Sequence, residues 1–272
     1  SGTLFEIKMK SWRSRQMRAV KSQRRHRRLI LIIIAIVLMA IGTLSAFFLS
    51  GWLAIEKIEI VNARFAQVPR LEKAIKDYLF SSRFLGFINF RNNIVFLSAK
   101  DFQSLVFQDP AVRDFSVIKN FREKSITLDL KERQAKGILC LVQGNQDCYY
   151  FDDQGIVFAV SPQTEGNVIF LVKDDSGRLY DLGDKILEGG SFADLMAVWD
   201  ILTSRFHLDY LQIDASNLTV QTSVGWRIYL NSSDLARIKA AVSNLLQSDF
   251  EFNNLDYLDL RYLPIIYWKL FS

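Results

Sequence analysis

Residues 29–49 form an apolar run of twenty-one positions without one ionisable side chain, from Leu29-Ile30-Leu31 to Phe47-Phe48-Leu49. At ~1.5 Å per residue such a run makes roughly 31 Å of helix, the thickness of one hydrocarbon core. In lipid the backbone must satisfy its own polar groups, which a helix does. Arg24, Arg25, Arg27 and Arg28 precede the run and Trp52 follows it. That pattern predicts a single pass with the N-terminus cytoplasmic and everything after residue 50 outside. A cleaved signal peptide is the alternative, but the residue two before Ala46 is Leu44, which is not small. A buried core helix fits less well, because nothing polar breaks the run.

The charge divides at the same place. Residues 1–28 carry ten Lys/Arg against the single acid Glu6, so of the net +5 the tail holds +9 and the remainder −4. A basic tail beside a membrane is explained by topology and anionic lipid headgroups, and nucleic acid is not needed to account for it. Ser1-Gly2 without an initiator Met reads as a tag remnant. The 220 or so residues beyond the span suffice for one large or two small domains. Their wealth of aromatics predicts folded material.

Residues 55–61 alternate Ile58 and Ile60 with charges, as a strand does, and Asn62 tolerates the left-handed turn that ends it. Val68 to Phe80 has helical spacing, with Leu71, Ile75, Tyr78 and Leu79 on one face and Pro69 near the start. A short helix opens at Ser98 and stops before Asp109-Pro110. Val112–Lys119 and Ser125–Lys131 are β-rich, the second alternating Ile126, Leu128 and Leu130 with polar residues. The expected order is strand, helix, helix, strand, strand.

That order, directly outside an N-in anchor, resembles a POTRA domain. Its landmarks resemble the FtsQ/DivIB family of bacterial cell division proteins. They are Ile58 to Asn62, Asp109-Pro110-Ala111-Val112, Val117, and Ile126 to Glu132-Arg133. Two positions depart from the family pattern. Asn62 stands where a glycine is usual, and the usual Pro of the later hairpin is replaced around Arg122.

From Gly137 onward short strands alternate with Asp/Asn/Gly turns. With a hairpin centred on Gly144, Cys140 and Cys148 lie opposite one another. Outside the membrane such thiols can form a disulfide, free buried cysteines being the alternative. Asp152, Gly155 and Phe158 resemble the start of the family's β domain. Strands at Val168–Lys173 and Arg178–Leu182 flank the turn Asp174-Asp175-Ser176-Gly177. Helices follow over Ser191–Arg205 and Asp234–Leu246, with strands at 209–213, 217–222 and 225–230 between them. Asp259-Leu260-Arg261-Tyr262 resembles a signature near the family's C-terminus. The predicted domains are a tail (1–28), a transmembrane helix (29–50), a POTRA domain (54–134), a β domain (135–262) and a C-terminal strand or tail (263–272). The predicted fold class is thus a single-pass helix plus exported α+β, the β domain mixed, mainly antiparallel, with packed helices.

Chemical motifs are sparse. His26 and His207 have no partners at metal spacing, and neither a phosphate-cradling loop nor a nucleophile elbow occurs. The acids at 152–153 and 174–175 suit turns, although folding can assemble a carboxylate pair from distant positions. A membrane-anchored cell-wall hydrolase or an envelope-binding protein is therefore the alternative function.

The family resemblance implies a non-catalytic bitopic scaffold of the divisome, without cofactor or metal, at the division septum of the plasma membrane. Its implied partners are FtsB/DivIC and FtsL-like bitopic proteins, with upstream divisome components and the septal wall synthase complex beyond them. It implies help in controlling septal peptidoglycan synthesis. A terminal strand with an open edge could accept a partner strand, with Arg261, Tyr262, Ile265, Tyr267 and Lys269 as the expected contacts. Pro264 counts against a continuous ladder, and these apolar residues could instead finish the domain core. On the POTRA domain the resemblance suggests a recruitment surface at Asp114, Val117 and Lys119, an ordinary sheet face being the plainer reading.

Overall fold

The computed structural model describes residues 29–43, 45, 53–81, 90–144, 146–162, 170–188, 191–215, 217–248 and 250–271. They divide into two compact units. One holds the described residues up to Glu59 with Lys76–Ser98 and Lys119–Thr127. The other holds Ile60–Ile75, Ala99–Ile118 and the chain from Leu128 onward.

The described residues 29–43 and 45 are helical and are called α1. Among the described residues no helix is long and apolar enough to cross a membrane. The expected single-pass architecture is corrected here to an α+β fold with a three-stranded and a nine-stranded sheet. The apolar side chains of α1, from Leu29 to Ile41, are exposed all round. The Thr43 hydroxyl donates back to the carbonyls of Met39 and Ala40. Arg24, Arg25, Arg27, Arg28 and Trp52, which carried the topology argument, lie outside the described residues, as do Leu44 and residues 46–49.

Next come β1 (Lys57–Val61), α2 (Val68–Phe80), α3 (Ala99–Val106), β2 (Val112–Asn120) and β3 (Ser125–Glu132), with the strands in spatial order β1-β3-β2. Helix α2 starts at Val68-Pro69 and buries Leu71, Ile75 and Leu79, three positions one turn apart. In α3 the buried pair is Phe102 and Val106. Asn62 adopts φ +60° and its amide donates to Asp129 at 2.7 Å, closing the turn after β1.

The remaining strands are β4 (Gly137–Leu141), β5 (Cys148–Phe151), β6 (Val157–Ser161), β7 (Phe170–Asp174), β8 (Leu208–Asp214), β9 (Asn217–Thr222), β10 (Arg227–Asn231), β11 (Leu255–Asp259) and β12 (Tyr267–Leu270). Helices α4 (Ser191–Thr203) and α5 (Leu235–Gln247) are interspersed. The strands make one sheet in the order β12-β11-β10-β9-β8-β7-β4-β5-β6. Pairs β4/β7, β7/β8 and β10/β11 are parallel and the others antiparallel. Residues 178–182 form no strand, contrary to the hairpin expected there. Both edges of β7 are taken by β4 and β8. The Tyr180 hydroxyl instead donates to the buried Asp174 carboxylate at 2.6 Å and ties the segment down as a loop.

Register explains the sheet's two faces. Val172, Leu211, Val220, Ile228, Leu258 and Trp268 stand side by side on successive strands. All but Trp268 are buried in one core with α4 (Phe192, Leu195, Val198, Leu202) and α5 (Leu235, Ile238, Val242). The neighbouring row points the other way and is polar: Lys173, Gln212, Thr219, Tyr229, Asp259 and Tyr267. A period of two, read across six strands, thus separates a dry face from a wet one.

Within the second unit, residues distant in sequence meet at one joint. Glu132 Oε1 accepts the backbone N–H groups of Arg64, Phe65 and Ala66 at 2.7–2.8 Å. Arg133 donates through Nη1 to Asp152 Oδ2 at 2.5 Å and through Nε to the Pro110 carbonyl at 2.9 Å. Asp152 is fully buried, its other oxygen accepting the N–H groups of Gln154 and Ile156. Gly155, at φ +73°, leaves no room for a Cβ, which would meet the Phe192 ring at 2.6 Å. Phe65, Tyr150 and Phe158 pack together around Ala111 and Ala159.

Candidate functional site: an open sheet edge

β12 is the last strand of the nine, paired antiparallel to β11 on one side, with no described strand on the other. A row of backbone groups left open in this way is a template for a further strand. Its side chains are all exposed: Tyr267 49%, Trp268 55% and Leu270 53%, with Phe271 at 56% just beyond. Trp268 continues the buried row of Leu258 and also meets the Phe250 ring edge-on at 5.6 Å. Among the described residues no strand covers its outer side.

The connection from β11 turns at residues 261–264, and the ladder begins only at Tyr267. Arg261 is not held ready for an external acid. It grips Asp259 through two side-chain hydrogen bonds, Nε to Oδ1 at 2.9 Å and Nη2 to Oδ2 at 2.6 Å, and Asp259 Oδ1 also accepts its backbone N–H. The guanidinium lies over the rings of Tyr229 and Tyr262. Burial pushes the Asp259 carboxyl upward, but the hydrogen bonds from Arg261 outweigh it and hold the group below the usual carboxylate range. The same pairing raises Arg261.

The sign of the pH effect follows. Asp259 is depressed in the folded state, so its stabilising contribution is complete above the unfolded carboxylate pKa of about 3.9 and lost as pH falls through the lower folded value. Asp259→Asn is therefore expected to be less stable than the parent near neutrality by about 1–3 kcal/mol, the range for hydrogen bonds to charged groups. The difference should close toward pH 2, as read by urea unfolding at a series of pH values. A difference that stays constant across that range would mean the carboxylate charge does not matter.

The five expected contacts thus fall into two places. Tyr267 and Lys269 share one face of β12, Lys269 reaching Asp256 at 3.2 Å. Tyr262 and Ile265, 61% and 56% exposed, sit in and after the turn beside Arg261. Trp268, Leu270 and Phe271 were missed, although the alternation of Trp268 and Leu270 with Tyr267 and Lys269 was the available signal. Behind the turn a groove of about 530 Å³ is lined by Ala240, Ala241 and Leu245 of α5 with Leu263, Pro264 and Ile266.

On β2, Val117 and Lys119 have the same parity and Asp114 the opposite one. The Lys119 ammonium donates to the Val95 carbonyl at 3.4 Å, and Asp114 lies 3.6 Å from Lys131. Cys140 and Cys148 are paired across β4 and β5 and joined by a disulfide. Among the described residues no group of three or more His, Cys, Asp or Glu is placed to hold a metal ion.

The chain matches no protein-family model and no curated protein.

Proposed function

We propose that this chain is a non-catalytic binding scaffold of bacterial cell division, of the FtsQ/DivIB kind, that takes up an extended segment of a partner at the β12 edge. The partners are FtsB/DivIC and FtsL-like division proteins, and the consequence is control of septal peptidoglycan synthesis. The observation that carries the reading is the apolar row ending on exposed Trp268 at an unpaired edge. A partner strand added there would gain main-chain hydrogen bonds and extend the row by one side chain. The strand-helix-helix-strand-strand order of β1 to β3 and the joint built from Pro110, Glu132, Arg133 and Asp152 support the family resemblance. The Cys140–Cys148 bond fits an oxidising compartment outside the cytoplasm.

Copurification of the full-length chain with these partners tests the proposal. Trp268→Ala is expected to weaken capture about thirtyfold or more, as loss of a central aromatic anchor does. Tyr262→Ala and Ile265→Glu should weaken it less. Undiminished capture by a folded Trp268→Ala/Ile265→Glu variant would move the site away from this edge.

A further inference from the structure

The face of the nine-stranded sheet turned away from α4 and α5 has a chemistry that the edge site does not use. One row across it runs Lys173, Gln212, Thr219, Tyr229, Asp259 and Tyr267. The adjacent row runs Tyr210, Gln221, Arg227, Tyr257 and Lys269. From β8 to β11 no aliphatic side chain stands in either, Leu171 of β7 lying at the end of the second row, whereas every position of the row behind them is apolar. Two cations rest on tyrosine rings, Lys173 at 3.9 Å from the Tyr210 centroid and Arg227 at 6.0 Å from that of Tyr229. Among the described residues neither has a carboxylate within salt-bridge distance. A ring beneath a cation attracts it without neutralising it, so its charge remains available to a ligand.

We infer that this face binds an extended, carboxylate-bearing glycan laid across strands β7 to β11. Lys173 and Arg227 are three strand steps apart, about 14 Å, so a compact anion cannot reach both. A nucleic acid carries a phosphate every few ångströms, far denser than two cations about 14 Å apart. Sparse acid groups on a hydroxyl-rich chain match what is present: two separated cations, with the Gln221 amide, the Thr219 hydroxyl and the Tyr229 and Tyr257 phenols between and beside them. The inference does not depend on strand capture at β12, since Lys173 and Arg227 lie on other strands.

Titration calorimetry of the full-length chain with alginate oligosaccharides, a polyuronate probe, tests it. Binding that weakens with added salt and falls about tenfold or more in Lys173→Gln/Arg227→Gln is the expected result. The variant's thermal unfolding and partner capture at β12 should be unchanged. Because charge removal at a wet face is mild, Lys173→Glu serves as a second variant and should weaken binding further. Absence of binding, equal affinity in the folded double variant, or equal affinity for neutral dextran would each overturn the inference. Equal competition by polyglutamate would overturn it in favour of an acidic peptide.

Discussion

Arg133→Ala is expected to cost about 3–5 kcal/mol of folding stability, measured as a shift in the urea midpoint at unchanged slope. The reason is the carboxylate left behind. Asp152 has no solvent exposure, and Arg133 is its cationic partner at 2.5 Å. Removing one member of a buried pair strands the other charge in a medium that solvates it poorly, which costs more than the pair itself contributes. The Pro110 carbonyl loses its donor in the same change. The nearby Arg113–Asp153 pair provides the contrast: both side chains are about half exposed, and Arg113→Ala should cost under about 1 kcal/mol. Adding Asp152→Asn to Arg133→Ala removes the stranded charge but keeps an oxygen for the N–H groups of Gln154 and Ile156. It should recover a good part of the loss. Equal costs for Arg133→Ala and Arg113→Ala would show that burial does not govern this pair.

Gly137→Ala should be nearly as damaging, at about 3 kcal/mol. A Cβ on Gly137 would lie 2.3 Å from the Phe170 carbonyl oxygen and 2.3 Å from the Phe151 ring. The first contact is with the backbone of β7, which pairs directly with Gly137 in the sheet and cannot move aside as a flexible side chain would. Phe151 is fully buried and packs edge-on against Phe170 and Phe192. Overpacking costs of this kind reach the upper end of their usual range when neither neighbour can yield. Gly144, in the open hairpin turn with φ +81° and nothing within 4 Å of its Cβ position, should respond only through backbone strain, by about 1 kcal/mol on substitution with Ala. If thermal unfolding ranks Gly144→Ala above Gly137→Ala, the steric account fails.

Local pattern was enough for most elements. Helix α2 is bounded at Val68 and Phe80 as its spacing indicates, and the alternation of Ile126, Leu128 and Leu130 marks the buried side of β3. These are properties of period and of turn chemistry, carried by residues a few positions apart. Asn62 at φ +60° is another, because a short amide side chain tolerates that region. Residues 178–182 show the limit. Their β-like texture lost to long-range competition, since β4 and β8 occupy both edges of β7 and Tyr180 found Asp174 instead.

The apolar run is where local reading overreached. Composition alone specified a spanning helix, whereas among the described residues no helix is long and apolar enough to cross a membrane. At the other end, the sequence by itself offered a terminal segment with Tyr267 and Lys269 as contacts and, in Pro264, a residue that counts against a continuous ladder. Only the tertiary structure decided that residues 267–270 are the edge strand of the nine described, because strand order depends on which segments pair and in which direction. It decided equally that Arg261 belongs to Asp259 and that Arg133 belongs to Asp152. The second pairing joins positions 19 residues apart and is worth several kcal/mol because the site around it is closed to water. Burial is a property of the assembled sheet and helices, and it sets the energy of each contact that the residue types allow.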